Sequence, residues 1–182
     1  MMPRHAAFLR GINVGRNRRI SGAELRSQFE ALGFQGVATF RTSGNVVFEA
    51  GREAPAELAE RIERRLAESL GYEVAIFIRT ASRLREIASH EPFPPAMVSA
   101  SKGKLQVMLL PAKPDTRTWN EVLASSTEED RLAFGDRELY WLPSGLMRDS
   151  ALDLGSIEKL LGPTTMRTKG TIELLAAKYF AD

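Results

Sequence analysis

The order of strands and helices is clearest in residues 5–48, HAAFLRGINVGRNRRISGAELRSQFEALGFQGVATFRTSGNVVF. Residues 5–10 are nearly continuous in apolar side chains and predict a first strand. Ser21 and Glu24 have the spacing of a capping box, which predicts the start of a helix. Residues 36–49 predict two strands around a glycine-containing turn. This stretch therefore predicts a strand, a helix and a hairpin, in that order.

The following residues add a second helix and a fourth strand. Pro55 stands in the first turn of a helix with an apolar stripe, and Gly71 ends that helix. Residues 74–79 are rich in β-branched side chains, which predicts a strand, and a short helix over 82–89 follows. Residues 1–90 thus have the β-α-β-β-α-β order of a ferredoxin-like alpha-beta plait.

The remainder of the chain repeats this order in a weaker form. Residues 91–103 contain Pro92, Pro94 and Pro95 and predict a linker. Residues 104–182 predict a second, less regular plait that ends in a C-terminal helix. The predicted fold class is therefore α+β, with two ferredoxin-like subdomains related by structural duplication.

Both faces of the first sheet are predicted to be apolar. The face of such a sheet that lies away from the helices commonly meets water, so an apolar pattern there needs a cover. The second subdomain is the expected cover, and residues 1–90 are expected to fold poorly alone. The two predicted faces are Phe8, Val47 and Phe77, and Leu9, Val46, Phe48, Ile76 and Ile78.

The composition is that of a globular protein from a reducing compartment. Of the 182 residues, 43% are hydrophobic and 26% are charged, which argues against global disorder. The chain has no cysteine, so disulfides and thiolate metal sites are excluded. No apolar run is long enough for a signal-peptide core or a bilayer span, so we expect a cytoplasmic protein without a membrane partner. No cofactor is expected, and the composition indicates no particular oligomeric state.

Positive charge is concentrated near the N-terminus. The formal net charge is only +2, so a strong global field for nucleic acid is absent. The first acidic residue is Glu24, and five arginines precede it: Arg4, Arg10, Arg16, Arg18 and Arg19. The plainest interpretation of this cluster is a solvated loop.

The predicted topology brings this basic loop to one edge of the sheet. The end of strand one, the start of helix one and the turn between strands two and three meet there. Glycines at that edge permit unusual backbone angles, and arginines with helix N–H groups can hold an anion. The predicted anion-binding residues are Arg10, Gly11, Asn13, Gly15, Arg16, Arg18, Arg19, Ser43, Gly44 and Asn45.

The function favoured by this edge is binding of a phosphate-bearing small molecule or a nucleotide. One alternative is a nucleic-acid-binding module using the same basic edge, which is less favoured, and another is a protein-interaction scaffold without a ligand. In the purely structural alternative, Gly11 and Gly15 only turn the chain, while Asn13 and Asn45 satisfy backbone groups. The capping box counts against an anion site because it uses part of the helix N–H groups.

Other kinds of site have little support. His5 and His90 are the only histidines and have no ligand-spaced acid nearby, so no metal site is predicted. Residues 7–12 superficially match an RNA-recognition motif, but residues 43–48 lack aromatics for base stacking. Ser43 lacks the context of a hydrolase nucleophile, and no phosphate-binding glycine motif occurs. No catalytic residue is assigned, and the sequence does not decide whether the protein is an enzyme.

Two motifs carry a resemblance to a known family. Residues 8–15, FLRGINVG, and residues 43–48, SGNVVF, resemble the bacterial domain-of-unknown-function 1697 family. The resemblance implies a pair of alpha-beta plaits and no established activity. Where the family tends to have Thr-x-Arg-Asn-Trp-x-Thr, this chain has residues 165–171, TMRTKGT. Thr168 and Lys169 thus replace the Asn and the Trp, so no stacking role is expected for that aromatic here.

Overall fold

The chain forms two compact units in the computed structural model, which describes residues 2–13 and 19–181. The first unit combines Met1–Glu86 with the C-terminal segment Leu175–Asp182. The second unit is the continuous stretch Ile87–Leu174. None of the helices in the described residues has the length and apolar character needed to cross a bilayer.

The first unit is built on one antiparallel sheet. Its strands are β1 (Arg4–Leu9), β2 (Gln35–Thr39), β3 (Asn45–Glu49) and β4 (Ile76–Thr80). Helices α1 (Gly22–Ala31) and α2 (Pro55–Leu70) connect the strands, and α3 (Ala81–Ser89) follows the last one. The strand order across the sheet is β2-β3-β1-β4, with every neighbouring pair antiparallel.

The second unit has the same plan. It begins with a short helix, α4 (Pro95–Ala100), and its strands are β5 (Gln106–Leu109), β6 (Asp130–Phe134), β7 (Glu138–Pro143) and β8 (Thr165–Thr168). Its other helices are α5 (Thr116–Leu123), α6 (Leu154–Leu161) and α7 (Lys169–Tyr179), with a 3₁₀ turn at Met147–Asp149. The strand order is β6-β7-β5-β8, again antiparallel throughout. The predicted α+β class with two similar subdomains is therefore confirmed.

Helix ends follow the predicted capping residues. The Ser21 hydroxyl accepts a hydrogen bond from the Glu24 N–H at 3.1 Å, and the Glu24 carboxylate accepts one from the Ser21 N–H at 2.8 Å. Helix α2 begins at Pro55 and is ended by Gly71, which has a left-handed φ of 76°. These local signals confirm the predicted helix limits because capping groups satisfy backbone groups that the helix cannot.

Two local features bear on the predicted domain limits of 1–90, 91–103 and 104–182. The proline-rich segment contains α4, whose first residue is Pro95. Proline at the first helical position loses no hydrogen bond, so prolines here begin a helix as well as interrupting the chain. The end of the C-terminal helix, from Leu175 onward, belongs to the first unit.

Both faces of the first sheet are buried. The helix-facing side chains Leu9, Val46, Phe48, Ile76 and Ile78 join one core with apolar residues of α1 and α2. The predicted residues of the other face, Phe8, Val47 and Phe77, are buried as well. Ala6 and Arg79, which the prediction did not include, are buried beside them in the same strands.

The last strands of the two units match residue for residue. The register of pairing with β1 and β5 places Thr80 and Thr168 at equivalent positions. Each threonine is preceded by a buried arginine, Arg79 or Arg167. Each threonine hydroxyl accepts a hydrogen bond from the backbone N–H three residues later, at 3.3 Å in α3 and 3.2 Å in α7. The duplication thus extends from topology to individual side chains at this point.

Candidate functional site

The end of β1 and the turn between β2 and β3 lie together at one edge of the first unit. The Leu9 N–H donates to the Gly44 carbonyl at 2.8 Å. Asn13 bridges the same two segments, because its Nδ2 donates to the Thr42 carbonyl at 2.7 Å while its Oδ1 accepts from the Ile20 N–H at 2.9 Å. The edge on which the predicted site depends is therefore present, and side-chain hydrogen bonds fix it.

Asn45 has a structural task within the turn. It is fully buried, and its Nδ2 donates to the Phe40 carbonyl at 2.8 Å and to the Ser43 hydroxyl at 3.0 Å. The Phe40 N–H in turn donates to the Asn45 carbonyl at 2.9 Å. A buried amide used in this way holds the turn closed and is not presented to a ligand.

Two of the predicted glycines take a conformation that other residues avoid. Gly11 has a φ of 78° and Gly44 a φ of 77°. A Cβ on Gly44 would lie 2.7 Å from Ile12 Cδ1 and 3.0 Å from Leu9 Cβ, so the site requires the absence of a side chain. Glycine therefore allows the turn to lie directly against the end of β1.

A cleft of about 710 Å³ lies between this turn and the start of α1, and is called here the N-terminal cleft. Its volume is in the usual range for small-molecule sites. Three of the predicted residues line it: Asn13, Arg19 and Gly44. The other lining residues were not in the predicted set: Ile12, Ile20, Ser21, Gly22, Glu24, Leu25, Thr39, Arg41 and Thr42.

The charges in the N-terminal cleft are mixed. Arg19 and Arg41 supply two guanidinium groups, both from exposed residues, and Glu24 supplies one carboxylate. Hydrogen bonds from the Ser21 backbone and hydroxyl lower the pKa of Glu24, so its carboxylate is charged at neutral pH. Gly22 begins α1 and lines the cleft, and no described residue accepts a hydrogen bond from its N–H. An anion in the cleft would be attracted by these cations and this N–H group and repelled by the Glu24 carboxylate.

The remaining predicted residues fall into two groups. Arg10, Gly11, Ser43 and Asn45 lie at the same edge without lining the cleft. The other predicted residues, Gly15, Arg16 and Arg18, lie outside the described residues.

Sequence reasoning missed Thr39, and it placed Arg41 near this edge without including it among the predicted binding residues. Both belong to the hairpin whose tip was predicted, and Arg41 has a φ of 59°, which turns the chain just after β2. The available signal was the hairpin itself, because residues on both sides of a tight turn share its edge.

The equivalent turn of the second unit is shorter. There the Leu110 N–H donates to the Arg137 carbonyl at 2.9 Å, as Leu9 does to Gly44. The hydrogen bond that closes this turn joins the Gly135 N–H to the Glu138 carbonyl at 2.8 Å and encloses residues 136–137. In the first unit, the bond from the Phe40 N–H to the Asn45 carbonyl encloses residues 41–44.

The loop before the first helix is also longer in the first unit than in the second. It spans residues 10–20 between β1 and the N-cap Ser21 of α1. In the second unit, residues 111–114 are all that separate Leu110 from the N-cap Asp115 of α5. The first unit is thus longer in both of these connections, and the described parts of both, Asn13, Arg19 and residues 41–44, include lining residues of the N-terminal cleft.

The described residues contain no group of three or more histidine, cysteine, aspartate or glutamate side chains that could hold a metal ion. The polar groups that the described residues bring to the N-terminal cleft are two guanidinium groups, one carboxylate, the Asn13 amide, hydroxyls and backbone groups. This arrangement is suited to recognising a ligand by charge and hydrogen bonds.

Comparison with known proteins places the chain in a family. The sequence model of a family described as "Protein of unknown function (DUF1697)" matches residues 2–140. No curated protein matches the chain. A conserved bacterial protein from Streptococcus pneumoniae has a similar fold, with a TM-score of 0.72 and 21% sequence identity, over 97% of this chain and 98% of that one. Because the family model matches most of the length of the chain, the chain belongs to the DUF1697 family of proteins of unknown function.

Proposed function

We propose that the N-terminal cleft binds a phosphate-bearing small molecule or a nucleotide. The observation that carries the proposal is the convergence of Arg19, Arg41 and the N–H of Gly22 on one cleft. Guanidinium groups and the first N–H groups of a helix are the usual protein partners of a phosphate. Arg19 makes no ion pair with any described residue, so its charge is available to a ligand.

The comparison between the two units supports the same edge. The two sheets agree in strand order, whereas the longer hairpin turn of the first unit lies beside the N-terminal cleft. Loops on a rigid scaffold carry binding functions more often than the scaffold itself does. The extra chain is therefore better explained by a ligand than by the needs of the fold.

Glu24 favours a compact ligand over a polynucleotide. Its carboxylate lies in the same cleft as the two arginines, so the cleft is not a continuous basic surface. A nucleic-acid backbone needs several cationic contacts along its length, whereas two arginines are enough to hold one phosphate group. The nucleic-acid alternative is thus less favoured, and its steep dependence on salt separates it from the proposed function.

The strand order also supports a finer interpretation of the fold. In each unit two helices connect strands in the β-α-β-β-α-β sequence, and the sheet order of both units has the first and third strands at its centre. We infer that each unit is a ferredoxin-like alpha-beta plait, in which the edge beside the first helix is open to a ligand.

The first experiment is a thermal-shift screen of inorganic phosphate, pyrophosphate, nucleoside phosphates and sugar phosphates. A ligand that binds only the folded state, at about 100 times its Kd, stabilises that state by about 2.7 kcal/mol, which a melting curve resolves. Calorimetric titration of each hit then gives its stoichiometry and its dependence on salt. One molecule per chain with modest salt dependence supports the proposal, whereas binding of many oligonucleotides with a steep salt slope supports the alternative.

Charge reversal of the loop arginines tests the location of the site. The double variant Arg16→Glu and Arg18→Glu, and separately Arg19→Glu, should each weaken the binding of a phosphate-bearing hit by about tenfold or more, the value of one charge-assisted hydrogen bond. Loop substitutions of this kind usually change stability by about 0.5 kcal/mol or less, so the melting temperature should stay near that of the parent.

Arg52→Glu is the matched control, because Arg52 is an exposed loop arginine of the same unit that does not line the cleft. It should bind the hit like the parent. If the arginine variants also bind like the parent, the N-terminal cleft is not the site. If they unfold, the arginines serve the fold, and the structural alternative is correct.

A further inference from the structure

A second cleft, of about 530 Å³, lies within the second unit and is called here the Asp130 cleft. It is formed where β6 begins, where β7 ends at Pro143, and where the chain passes through the 3₁₀ turn into α6. This location differs from that of the N-terminal cleft, which lies at the end of the first strand. The residues that line the Asp130 cleft therefore need a separate explanation.

Asp130 lines this cleft although only 4% of its surface is exposed. Its Oδ1 accepts hydrogen bonds from the Trp141 Nε1 at 2.8 Å and from the Ser150 hydroxyl at 2.7 Å. Two donors on one oxygen fix the orientation of the carboxylate. A buried carboxylate held in this way is preorganised for a partner.

The second oxygen of the same carboxylate lacks a partner in the described part of the chain. No described group donates a hydrogen bond to Asp130 Oδ2. Among the described residues, the side-chain polar atoms that are both unbonded and sealed from solvent belong to His5, Tyr72 and Arg83, so Oδ2 is not one of them. Oδ2 is therefore reached from outside, and the cleft is the opening that Asp130 lines. Because Oδ2 is accessible and accepts no hydrogen bond from a described group, it is an acceptor at which a cationic donor would be favoured.

The charge of the lining is uniformly negative. Glu129, Asp149 and Asp153 line the cleft with Asp130, and none of its described lining residues is a lysine or an arginine. Arg148, next in the chain, contacts Asp149 at 3.6 Å, but it is largely exposed and lies outside the lining. Hydrogen bonds from Ser156 lower the pKa of Asp153, which keeps this carboxylate charged well below neutral pH.

We propose that the Asp130 cleft binds a primary alkylammonium group. The ammonium would donate to Asp130 Oδ2, while Pro143 and Leu152 line the cleft as apolar contacts for the carbon chain. Among the described residues, no three histidine, cysteine, aspartate or glutamate side chains lie together so that they could hold a metal ion. The carboxylates of the cleft therefore favour an organic cation over a metal ion. The proposal is independent of phosphate binding, because the two clefts lie in different units.

The two tryptophans of the chain provide a direct readout. Trp141 donates its indole N–H to Asp130, whereas Trp119 lies on α5 with its ring 4.5 Å from that of Phe134. In a ¹⁵N-labelled sample titrated with n-butylammonium chloride at constant ionic strength, the Trp141 indole resonance should shift and saturate while that of Trp119 stays in place. Potassium chloride and n-butanol, which supply the charge or the chain alone, should not produce this shift.

Asp130→Asn tests the anchor because it keeps an oxygen for Trp141 and Ser150 while removing the charge. It should weaken n-butylammonium binding about tenfold or more, as expected for loss of a charged hydrogen bond. Asp136→Asn is the matched control, since Asp136 is an exposed aspartate of the same unit that does not line the cleft. It should titrate like the parent.

Four results would overturn the proposal. They are a Trp141 resonance that does not move, an equal shift with potassium chloride, an equal shift with n-butanol, and unchanged binding in Asp130→Asn. If Asp130→Asn fails to fold, Glu129→Gln takes its place, because Glu129 is exposed and lines the cleft. Binding weakened about threefold would then support the proposal, and unchanged binding would overturn it.

Discussion

The first and second units agree in their sheets and differ at their edges. Both have an antiparallel sheet with the same order of strands, and both end that sheet with a buried arginine followed by a capping threonine. Their clefts, in contrast, lie at different ends and have different charges, with two arginines and one glutamate in the first and four carboxylates in the second. The comparison teaches that strand order was preserved while connecting segments diverged, so binding properties must be sought in the connections.

The units also differ in continuity, and truncation tests that difference. The first unit includes Leu175–Asp182, and Arg4 Nη1 donates to the Tyr179 carbonyl at 2.7 Å. A fragment of residues 1–90 loses this segment and keeps a sheet with two apolar faces. We expect it to aggregate or to lack a cooperative melting transition, as measured by circular dichroism and size-exclusion chromatography. A soluble, sharply melting fragment would contradict the argument that this sheet needs the rest of the chain.

The glycine in the longer turn provides the next largest effect. Gly44→Val should destabilise the protein by about 2–4 kcal/mol, because it combines left-handed strain with a clash against Ile12 Cδ1 at 2.7 Å. Gly51→Val is the control, since a Cβ there meets nothing within 4 Å and the φ is not left-handed. Urea unfolding of both variants measures the contrast. Equal losses would show that the close contact at Gly44 is not what holds the edge.

The smallest effect concerns a position where the units hold different residues. His5 and Gln106 are equivalent in strand register, and both are buried. Burial lowers the pKa of His5 from its ordinary value of 6.5, with a weaker opposing effect from a backbone hydrogen bond to Pro3. Gln106 makes the corresponding contact, because its Nε2 donates to the Lys104 carbonyl at 2.8 Å.

The sign of the pH effect follows from this shift. Because the folded state binds the His5 proton less readily than the unfolded chain does, stability should fall as the pH drops below about 6.5, down to the folded pKa. His5→Gln, which copies the second unit, should remove this part of the pH dependence, as measured by urea unfolding between pH 7.5 and pH 5, taken as approximate limits. His90→Gln is the control and should keep it. A His5→Gln variant with the parent's pH profile would show that burial of His5 is not its cause.

Local chemistry made most of the fold predictable. The capping box at Ser21, the proline at the start of α2 and the glycine at its end are properties of a few neighbouring residues, and each lies where it was predicted. The meeting of the β1 end with the β2–β3 turn followed from strand order alone, and the Leu9–Gly44 hydrogen bond reflects it.

The candidate site was only partly predictable because lining a cleft depends on geometry beyond the local chain. Arg19 was in the predicted set and lines the cleft, but Asn45, also predicted, is consumed by hydrogen bonds inside the turn. The cleft around Asp130 was not anticipated, because Trp141 and Ser150 are distant from Asp130 in sequence and meet it only after β6, β7 and the 3₁₀ turn have packed.

The C-terminal segment of the first unit has a consequence for synthesis on the ribosome. All residues of the second unit have been translated when Leu174 is added, whereas the first unit still lacks Leu175–Asp182. At usual elongation rates, about 5–20 s separate the translation of Glu86 from that of Asp182. In a nascent chain, all residues of the second unit are therefore present before all residues of the first unit are. This order is the reverse of the order in which the two units begin.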